Sequence, residues 1–290
     1  KAYELSELQV AREVKTAWAD AFAAKRKFRA FVGLDSIYRQ FERAVTLRYE
    51  VEAISRLQSL TAQNQANQIK LQKQQAYSDY LTALEKLNLW LGEDEFYSVP
   101  EQLEPEFIAE EILLQQELQE HPLLEVSRQQ VEIAEAEYKA VKSNFLPKLN
   151  LQYGFQEVNG VSGFYSYQAG ISIPILSGET YGKTQAAKIE TKIAQQAANF
   201  KEEQLQAAFA QTLQNYQKWK TSWEYYEDEA LPLSVEQREG ALLAFNEGAM
   251  EYVAFIQILD DVVQVELNAL EALEEYLQAL AELEFYLNNK

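Results

Sequence analysis

Residues 146–178 read LPKLNLQYGFQEVNGVSGFYSYQAGISIPILSG, and this stretch decides how the rest of the chain must be organised. Apolar and polar residues alternate along both of its halves, which is the period of a β-strand with one apolar face. The apolar positions predicted to share that face are Leu149, Leu151, Tyr153, Phe155, Tyr165, Tyr167, Ala169, Ile171 and Ile173. We therefore predict a β-hairpin over residues 147–174, with two strands of about nine residues and a loop that contains Asn159, Gly160 and Gly163.

Two interpretations of this hairpin compete. In the first, it is water-soluble and a helix covers its apolar face, because an isolated two-stranded hairpin is only marginally stable. In the second, it crosses a lipid bilayer, because alternating strands of about 9 to 11 residues suit a tilted membrane strand. The only charged residues between positions 147 and 178 are Lys148 and Glu157, although 24% of the whole chain is charged. This scarcity favours the membrane interpretation, in which other strands must complete the sheet, because its edge groups need partners in lipid.

The rest of the sequence has the composition of long helices. Neither Gly nor Pro, the strongest interruptions of regular structure, occurs in residues 1–32, 34–91, 183–231 and 249–290. The predicted fold class is mainly α, with elongated antiparallel helical hairpins or coiled coil in two repeats and one inserted β-hairpin of the transmembrane type. The sequence contains no run of about 18 apolar residues, so we predict no transmembrane helix. Because the chain starts within amphipathic helical sequence, we expect a fragment, a processed form or the tail of a longer polypeptide.

The chain also resembles itself at an offset of 196 residues, where the motif Tyr-Leu-x-Ala-Leu-x-x-Leu-x-x-x-Leu of residues 80–91 recurs at 276–287. Each copy is predicted to be a long helical hairpin. The predicted organisation, in chain order, is a first helical hairpin over residues 1–91 with its tip near 50–55, a linker over 92–122, and a second repeat over 123–290 that contains the β-hairpin 147–174 and a helical hairpin 178–290 with its tip near 246–250. Short helices are expected over 106–119 and 123–144.

Composition excludes several functions. The 290 residues include no Cys and one His, and their net charge is −19. Thiol chemistry and His or Cys clusters around a metal are therefore excluded, and the acidic surface repels nucleic acid. No catalytic triad or phosphate-binding loop is recognisable, and His121, which precedes Pro122, is interpreted as a polar linker residue. We expect neither enzymatic activity nor a cofactor.

Three motifs carry a resemblance to a known family. They are Leu146-Pro147-Lys148-Leu149, then Ile173-Pro174-Ile175-Leu176-Ser177-Gly178 followed by Gly182 and Ala186-Ala187, and finally FNEGAMEYVAFI over residues 245–256. With these motifs in this order the chain resembles the TolC-like outer-membrane factors, and is most similar to the branch serving heavy-metal efflux pumps of the resistance-nodulation-division type. The resemblance implies a homotrimer whose subunits each contribute four strands to a shared twelve-stranded barrel, continued by a helical tunnel across the periplasm.

The resemblance also implies roles for residues of this sequence. The membrane hairpin is Leu149, Leu151, Tyr153, Phe155, Tyr165, Tyr167, Ile171 and Ile173; the strand–helix junctions are Pro147, Pro174, Gly178 and Gly182; the periplasmic tip that docks a partner is Asn246, Glu247, Gly248 and Glu251. Asp260 and Asp261 are possible lumen acids, in a region whose many acids are either a solvated helix face or a tunnel lining that favours cations. Two departures from the family pattern are the missing first strand pair before Lys1, and Glu52 at the position equivalent to Gly248.

The expected function is that of an outer-membrane duct in a tripartite efflux system, which passively exports small toxic solutes or metal cations. The expected partners are two further copies of the chain, a periplasmic adaptor, an inner-membrane pump that is separate or fused upstream, and the lipid bilayer. The expected location is the outer membrane, with a helical extension in the periplasm. The alternative is a soluble coiled-coil scaffold or adaptor without channel activity.

Overall fold

The computed structural model describes residues 2–92, 97–101, 118–174 and 178–287. The elements, in chain order, are α1 (Ala2–Glu50), α2 (Arg56–Leu91), a 3₁₀ turn (Leu118–Glu120), α3 (Pro122–Lys142), a second 3₁₀ turn (Ser143–Phe145), β1 (Lys148–Val158), β2 (Val161–Ser172), α4 (Gly178–Tyr225), a π-helical turn (Tyr226–Ala230), α5 (Leu231–Asn246) and α6 (Tyr252–Leu287). Long helices with one inserted antiparallel sheet confirm the predicted fold class. The helix expected over 106–119 falls almost entirely outside the described residues.

The chain folds as two units. The bundle unit comprises Tyr3–Leu118 and Ala207–Lys290, and the strand unit comprises Lys1–Ala2 and Gln119–Gln206. The bundle unit therefore holds α2, α5, α6 and nearly all of α1, together with the last part of α4. The strand unit holds α3, both strands and the first part of α4.

Polar contacts show how the helices of the bundle unit are paired. Lys73 of α2 forms an ion pair with Asp35 of α1, so α1 and α2 are a hairpin. Arg238 of α5 lies 2.8 Å from Glu266 of α6, measured from Nη1 to Oε1, so α5 and α6 are a second hairpin. Contacts between α1 and α6, such as the bond from Lys15 Nζ to Glu284 Oε2 at 2.7 Å, join the two hairpins.

Two hydrophobic clusters fill the bundle unit. Near the helical tips, Phe41 of α1 packs against Phe245 of α5 and Phe255 of α6, with ring centroids 5.4 and 5.0 Å apart. Further along α6, Tyr276 and Leu283 are completely buried among small residues of α1 and apolar residues of α2 and α4. Burying one such side chain contributes on the order of 1.5–3 kcal/mol. Apolar burial along α6 therefore contributes to the stability of this unit.

The connections at the two helical tips have the same length and share four backbone hydrogen bonds. The first tip is residues 51–55 and the second tip is residues 247–251, between helices that end and begin 196 residues apart. In the first tip, the amides of Val51, Glu52, Ala53 and Ser59 donate to the carbonyls of Leu47, Tyr49, Arg48 and Ser55, in that order. In the second tip, the equivalent amides of Glu247, Gly248, Ala249 and Phe255 donate to the carbonyls of Leu243, Phe245, Ala244 and Glu251. The two tips therefore share four backbone hydrogen bonds, and the second tip has one more, from the Met250 amide to the Ala244 carbonyl.

The stretch 183–231, which lacks Gly and Pro and is therefore predicted to be one long helix, is not regular α-helix to its end. α4 ends at Tyr225, and the π-helical turn Tyr226–Ala230 leads into α5. Pro232 in the first turn of α5 gives the physical reason. It lacks a backbone N–H, and in a regular α-helix its ring would clash with the carbonyl of Asp228. Widening the preceding turn relieves that clash, so the expectation of a regular helix is wrong here.

The strand unit begins with a helix that His121 caps. Its Nδ1 accepts a hydrogen bond from the amide of Leu123 at 3.2 Å, and α3 starts at Pro122. The His121 side chain is only 3% exposed. His121 thus lies at the end of the predicted linker and has the further role of a helix cap, because the first amides of a helix lack partners within the helix and this imidazole supplies one.

The two strands form an antiparallel hairpin and are longer than predicted, with 11 residues in β1 and 12 in β2. The turn consists of Asn159 and Gly160 alone, with φ of 51° and 79°, the positive values that a tight two-residue hairpin turn requires. Gly163, expected in the loop, lies in β2 with a φ of 111°. Its conformation accompanies the irregular register between Gln156 and Val158. The short turn lets pairing resume at once, which extends both strands.

Candidate membrane hairpin and helical tips

One face of the β-hairpin is apolar and not covered by the described residues. The register pairs Leu149 with Ile171, Leu151 with Ala169, Tyr153 with Tyr167, and Phe155 with Tyr165. The seven large side chains in these pairs are between 55% and 80% exposed. Ile173, the eighth residue predicted for this face, follows the end of β2 and is 62% exposed. A continuous exposed apolar surface of this kind marks contact with lipid or with another protein.

Aromatic rings of this face pack against one another. The ring centroid of Tyr153 lies 5.3 Å from that of Tyr167, and Phe155 lies 5.4 Å from Tyr165. Tyr153 also stacks on Tyr165 at 6.2 Å. Such pairs contribute about 0.5–1.5 kcal/mol each beyond their buried area. The hairpin face is therefore held by its own cross-strand contacts, whereas the water-soluble interpretation requires a covering helix that the described residues do not supply.

The opposite face of the hairpin is polar and carries one charged residue, Lys148 at the start of β1, and one aromatic residue. Gln152 faces Gln168, and Gly154 faces Ser166 so closely that a Cβ on Gly154 would come within 2.6 Å of the serine Oγ. Phe164 pairs with Gln156 near the turn and is 54% exposed. Sequence reasoning missed Phe164. Its signal is the adjacent pair Phe164-Tyr165, which breaks the alternation and must put one ring on each face.

The four predicted junction residues flank the hairpin. Pro147 directly precedes β1 and Pro174 follows β2, while Gly178 and Gly182 lie in the first two turns of α4. A Cβ on either glycine would meet no atom within 4 Å among the described neighbours, and neither has a positive φ. Close packing in this chain therefore does not explain the two glycines. Ile175, Leu176 and Ser177 of the same motif lie outside the described residues.

The residues predicted to dock a partner lie together at the second tip. Asn246 is the last residue of α5, Glu247 follows it, and Gly248 has a φ of 75°. The carbonyl of Glu251 accepts a hydrogen bond from the amide of Phe255 at 3.1 Å and so begins α6. All four predicted residues are exposed. The second tip therefore presents two carboxylates and a left-handed backbone turn to the surroundings.

Arg48 connects the two tips and was not identified from the sequence. Its Nη2 donates a hydrogen bond to the carbonyl oxygen of Phe245 at 2.6 Å, and its guanidinium lies 4.2 Å from the centroid of the Phe245 ring. The Phe245 carbonyl also accepts a hydrogen bond from the Gly248 amide at 3.2 Å, so Arg48 of α1 gives it a second donor. The residue equivalent to Arg48 in the second repeat is Ala244, which has no guanidinium and cannot make the reciprocal contact with the first tip. That asymmetry is the only sequence signal for it.

The two predicted lumen acids have different surroundings, although both are exposed. Asp260 accepts a hydrogen bond from the Tyr38 hydroxyl at 3.2 Å, which directs it towards α1. Burial and the nearby Asp260 carboxylate raise the pKa of Tyr38 above its ordinary value, so Tyr38 remains a donor at neutral pH. Burial and the same carboxylate also raise the pKa of Tyr252. Asp260 is thus part of a contact between the two hairpins as well as a surface charge.

No group of three or more His, Cys, Asp or Glu side chains in the described ranges has the geometry to hold a metal ion. Among the helices described here, none has an apolar stretch long enough to span a bilayer.

Comparison with known proteins places these features in context. Residues 113–289 match the family described as outer membrane efflux protein, while none of the curated proteins matches the sequence. The fold resembles a membrane protein from Pseudomonas aeruginosa, with a TM-score of 0.88 at 16% identity over 99% of this chain and 67% of that chain. It also resembles the CmeC outer membrane channel of Campylobacter jejuni, with a TM-score of 0.84 at 17% identity over 99% of this chain and 64% of that one.

A third similar structure is the open state of the MtrE outer membrane channel of Neisseria gonorrhoeae. Its TM-score is 0.83 at 16% identity, over 99% of this chain and 67% of that chain. The chain therefore spans about two thirds of the length of these solved structures. At such low identity the three structures establish a shared fold.

Proposed function

Because this chain belongs to the outer membrane efflux protein family, we propose that it forms part of the wall of an export duct across the outer membrane and periplasm. Solutes move through this duct by diffusion, and the chain itself performs no chemical step. The observation that carries the proposal is the apolar face of the β-hairpin, whose seven large side chains are 55–80% exposed. In a bilayer this face contacts lipid, and the polar face with Gln152 and Gln168 lines the water-filled side.

Closure of the sheet supports a homotrimer. Among the residues that the structure describes, the sheet has two strands, so the outer edge of each has no neighbouring strand to pair with its backbone N–H and C=O groups. In lipid such groups must be paired, which a closed ring of strands achieves. Symmetry-related copies of the hairpin provide the missing neighbours. The alternative, a water-soluble scaffold, is less well supported, because it would leave the aromatic face of the hairpin exposed to water.

The second tip supports docking of a periplasmic adaptor. Asn246, Glu247, Gly248 and Glu251 are exposed at the end of a hairpin whose adjacent core contains several packed aromatic rings. Two carboxylates on a fixed turn give a partner both charge and a defined backbone shape to recognise. The adaptor in turn connects the duct to an inner-membrane pump, either separate or fused to the same polypeptide. The first tip, which has Glu52 in place of Gly248, offers a different side chain to the same partner.

Acidic residues support a preference for cations. Asp260 and Asp261 lie on α6 close to the second tip, and both are exposed. Rings of carboxylates, three from each position in a trimer, raise the local concentration of cations in a narrow tunnel. The proposed cargo is therefore small toxic solutes or metal cations. The proposal that the duct works with a heavy-metal pump is supported only by the sequence motifs of residues 146–182 and 245–256.

Reconstitution of the protein extracted from outer membranes tests this function. We expect trimers that survive mild detergent and a steady conductance across planar bilayers. Asp261→Asn should lower the permeability of cations relative to anions, whereas Asp228→Asn, an exposed acid in the π-helical turn, should leave it unchanged. A soluble monomer that gives no conductance would instead establish the scaffold alternative. A conducting trimer in which Asp261→Asn has no effect would keep the duct and remove the lumen role of Asp261.

A further inference from the structure

A cavity in the bundle unit has no part in the functions proposed above. Its volume is about 510 Å³, within the range of roughly 300–1,000 Å³ that is usual for small-molecule sites. It lies among α1, the end of α4, the π-helical turn, the start of α5 and the middle of α6. The side chains that matter for its chemistry are Arg26 and Arg29 of α1, Trp223 of α4, Glu227 of the π-helical turn, and Glu266 and Leu273 of α6.

The cavity has structural causes. The π-helical turn widens the helix next to the opening, and Ala30 of α1 and Ala269 of α6 leave space between facing helices. Trp223 is held in place because its indole stacks on the Tyr276 ring, at 5.4 Å between centroids and 16° between planes. Leu273 adds an apolar floor and is 7% exposed. The result is a fixed, flat aromatic wall beside apolar surface.

The charges around the cavity are unevenly paired. The carboxylate of Glu101 accepts a hydrogen bond from Arg29, and Glu266 is paired with Arg238 at 2.8 Å. Two of the three lining carboxylates therefore already have a cationic partner. Arg26 takes part in none of the ion pairs found between residues that the structure describes, although it is half-buried. A guanidinium stays protonated at any physiological pH, so this part of the cavity favours an anion.

We propose that this cavity binds a small organic anion with a flat apolar body. The anionic group, a carboxylate, sulfonate or phosphate, contacts the Arg26 guanidinium, and the body lies against Trp223 and Leu273. Glu227, the third lining carboxylate, is exposed to water, which screens its charge from the bound anion. This inference depends only on the bundle unit and stands whether or not the chain conducts solutes.

Two related dyes test the proposal on the full chain. 1-Anilinonaphthalene-8-sulfonate has an anionic group and a flat aromatic body, and N-phenyl-1-naphthylamine has the same body without the charge. We expect one saturable site per chain for the sulfonate dye. Arg26→Gln should weaken its binding by about tenfold or more, because a charge-assisted contact is lost, while binding of the neutral dye at this site stays unchanged. Arg43→Gln, an exposed arginine elsewhere on α1, is the matched control and should leave both affinities as they are.

A second variant tests the position of the site. Ala269→Leu fills the cavity and should abolish the saturable binding of both dyes, with circular dichroism to verify that the helices are intact. The proposal is overturned if no saturable site exists, if Arg26→Gln weakens both dyes equally, or if Arg43→Gln weakens the sulfonate dye as much as Arg26→Gln. Because Arg26 is only half-buried, the Arg26→Gln result remains decisive even if Ala269→Leu fails to fold.

Discussion

Glu52 and Gly248 occupy equivalent positions in the two helical tips and both have a positive φ, of 59° and 75°. The amide of Glu52 donates to the carbonyl of Tyr49, and that of Gly248 donates to the carbonyl of Phe245, so the two turns share their hydrogen bonds. Glycine adopts this conformation freely, whereas a residue with a Cβ is strained in it by about 1 kcal/mol. The first tip therefore keeps the backbone of the repeat at an energetic cost.

Glu52→Gly should raise the free energy of unfolding of the bundle unit by roughly 0.5–1 kcal/mol, because it removes this strain. The converse change, Gly248→Ala, should lower it by about 1 kcal/mol. Open space surrounds the position of the added Cβ, so only backbone strain contributes. Urea denaturation followed by circular dichroism measures both changes. Glu50→Gly, at the end of α1, is the control and should destabilise; a destabilising Glu52→Gly would contradict the strain argument.

Arg48→Gln should make the second tip open more readily, because it removes the bond to the Phe245 carbonyl and the contact with the Phe245 ring. We expect the free energy needed to open the second tip to fall by about 1–3 kcal/mol, which is the usual contribution of a charge-assisted hydrogen bond together with a cation–π contact. Hydrogen exchange of the Ala249 amide, which donates to Ala244, reports this opening. Arg43→Gln leaves that rate unchanged. Equal rates in wild type and Arg48→Gln would show that the contact does not hold the tip.

The long helices and the hairpin could be predicted from the sequence because their signals are local. Alternation over residues 149–173 is enough to define two strands, and the absence of Gly and Pro is enough to define helices. Even the tips follow from the 196-residue offset, since Glu52 aligns with Gly248 without any gap. The strand lengths were underestimated because turn geometry, and not hydrophobic pattern, determines where pairing ends.

Contacts between distant segments could not be predicted in this way. The bonds from Arg48 to Phe245 and from Tyr38 to Asp260 join residues about 200 positions apart, and no periodicity in the sequence relates them. The cavity beside Arg26 depends on a π-helical turn, which the sequence signals only through Pro232. The roles of the tip and of the lumen acids stay predictions, because they require partners and copies of the chain.

Asp35 should make the bundle unit sensitive to acid. Burial raises the pKa of its carboxyl group, but hydrogen bonds from Lys73 and Arg39 outweigh burial and leave the pKa below its ordinary value. Because the pKa is lower in the folded state, the stabilisation is complete above the unfolded pKa, near about 4, and is lost as pH falls through the folded pKa. Unfolding free energies measured by urea denaturation at a series of pH values should show this loss.

Asp35→Asn should lower stability by about 1–3 kcal/mol at neutral pH, because it leaves the partly buried Lys73 without its carboxylate. The difference from wild type should shrink in acid, where the wild-type carboxyl is protonated. Asp79→Asn changes an exposed acid on α2 and serves as the control, with little effect at any pH. A constant difference across the whole pH range would rule out the Asp35 ion pairs as its cause.

Leu151 and Gln152 are neighbours in β1 whose side chains point to opposite faces, which gives a sharp test of the membrane hairpin. Leu151 lies on the aromatic face opposite Ala169, and Gln152 lies on the polar face opposite Gln168. Leu151→Lys should reduce insertion into liposomes strongly, because a cation facing lipid near the midplane costs about 2–4 kcal/mol. Gln152→Lys adds the same charge facing water and should insert like wild type. If the two variants insert equally well, or if neither they nor the wild type insert, the aromatic face does not contact lipid and the proposed duct loses its main support.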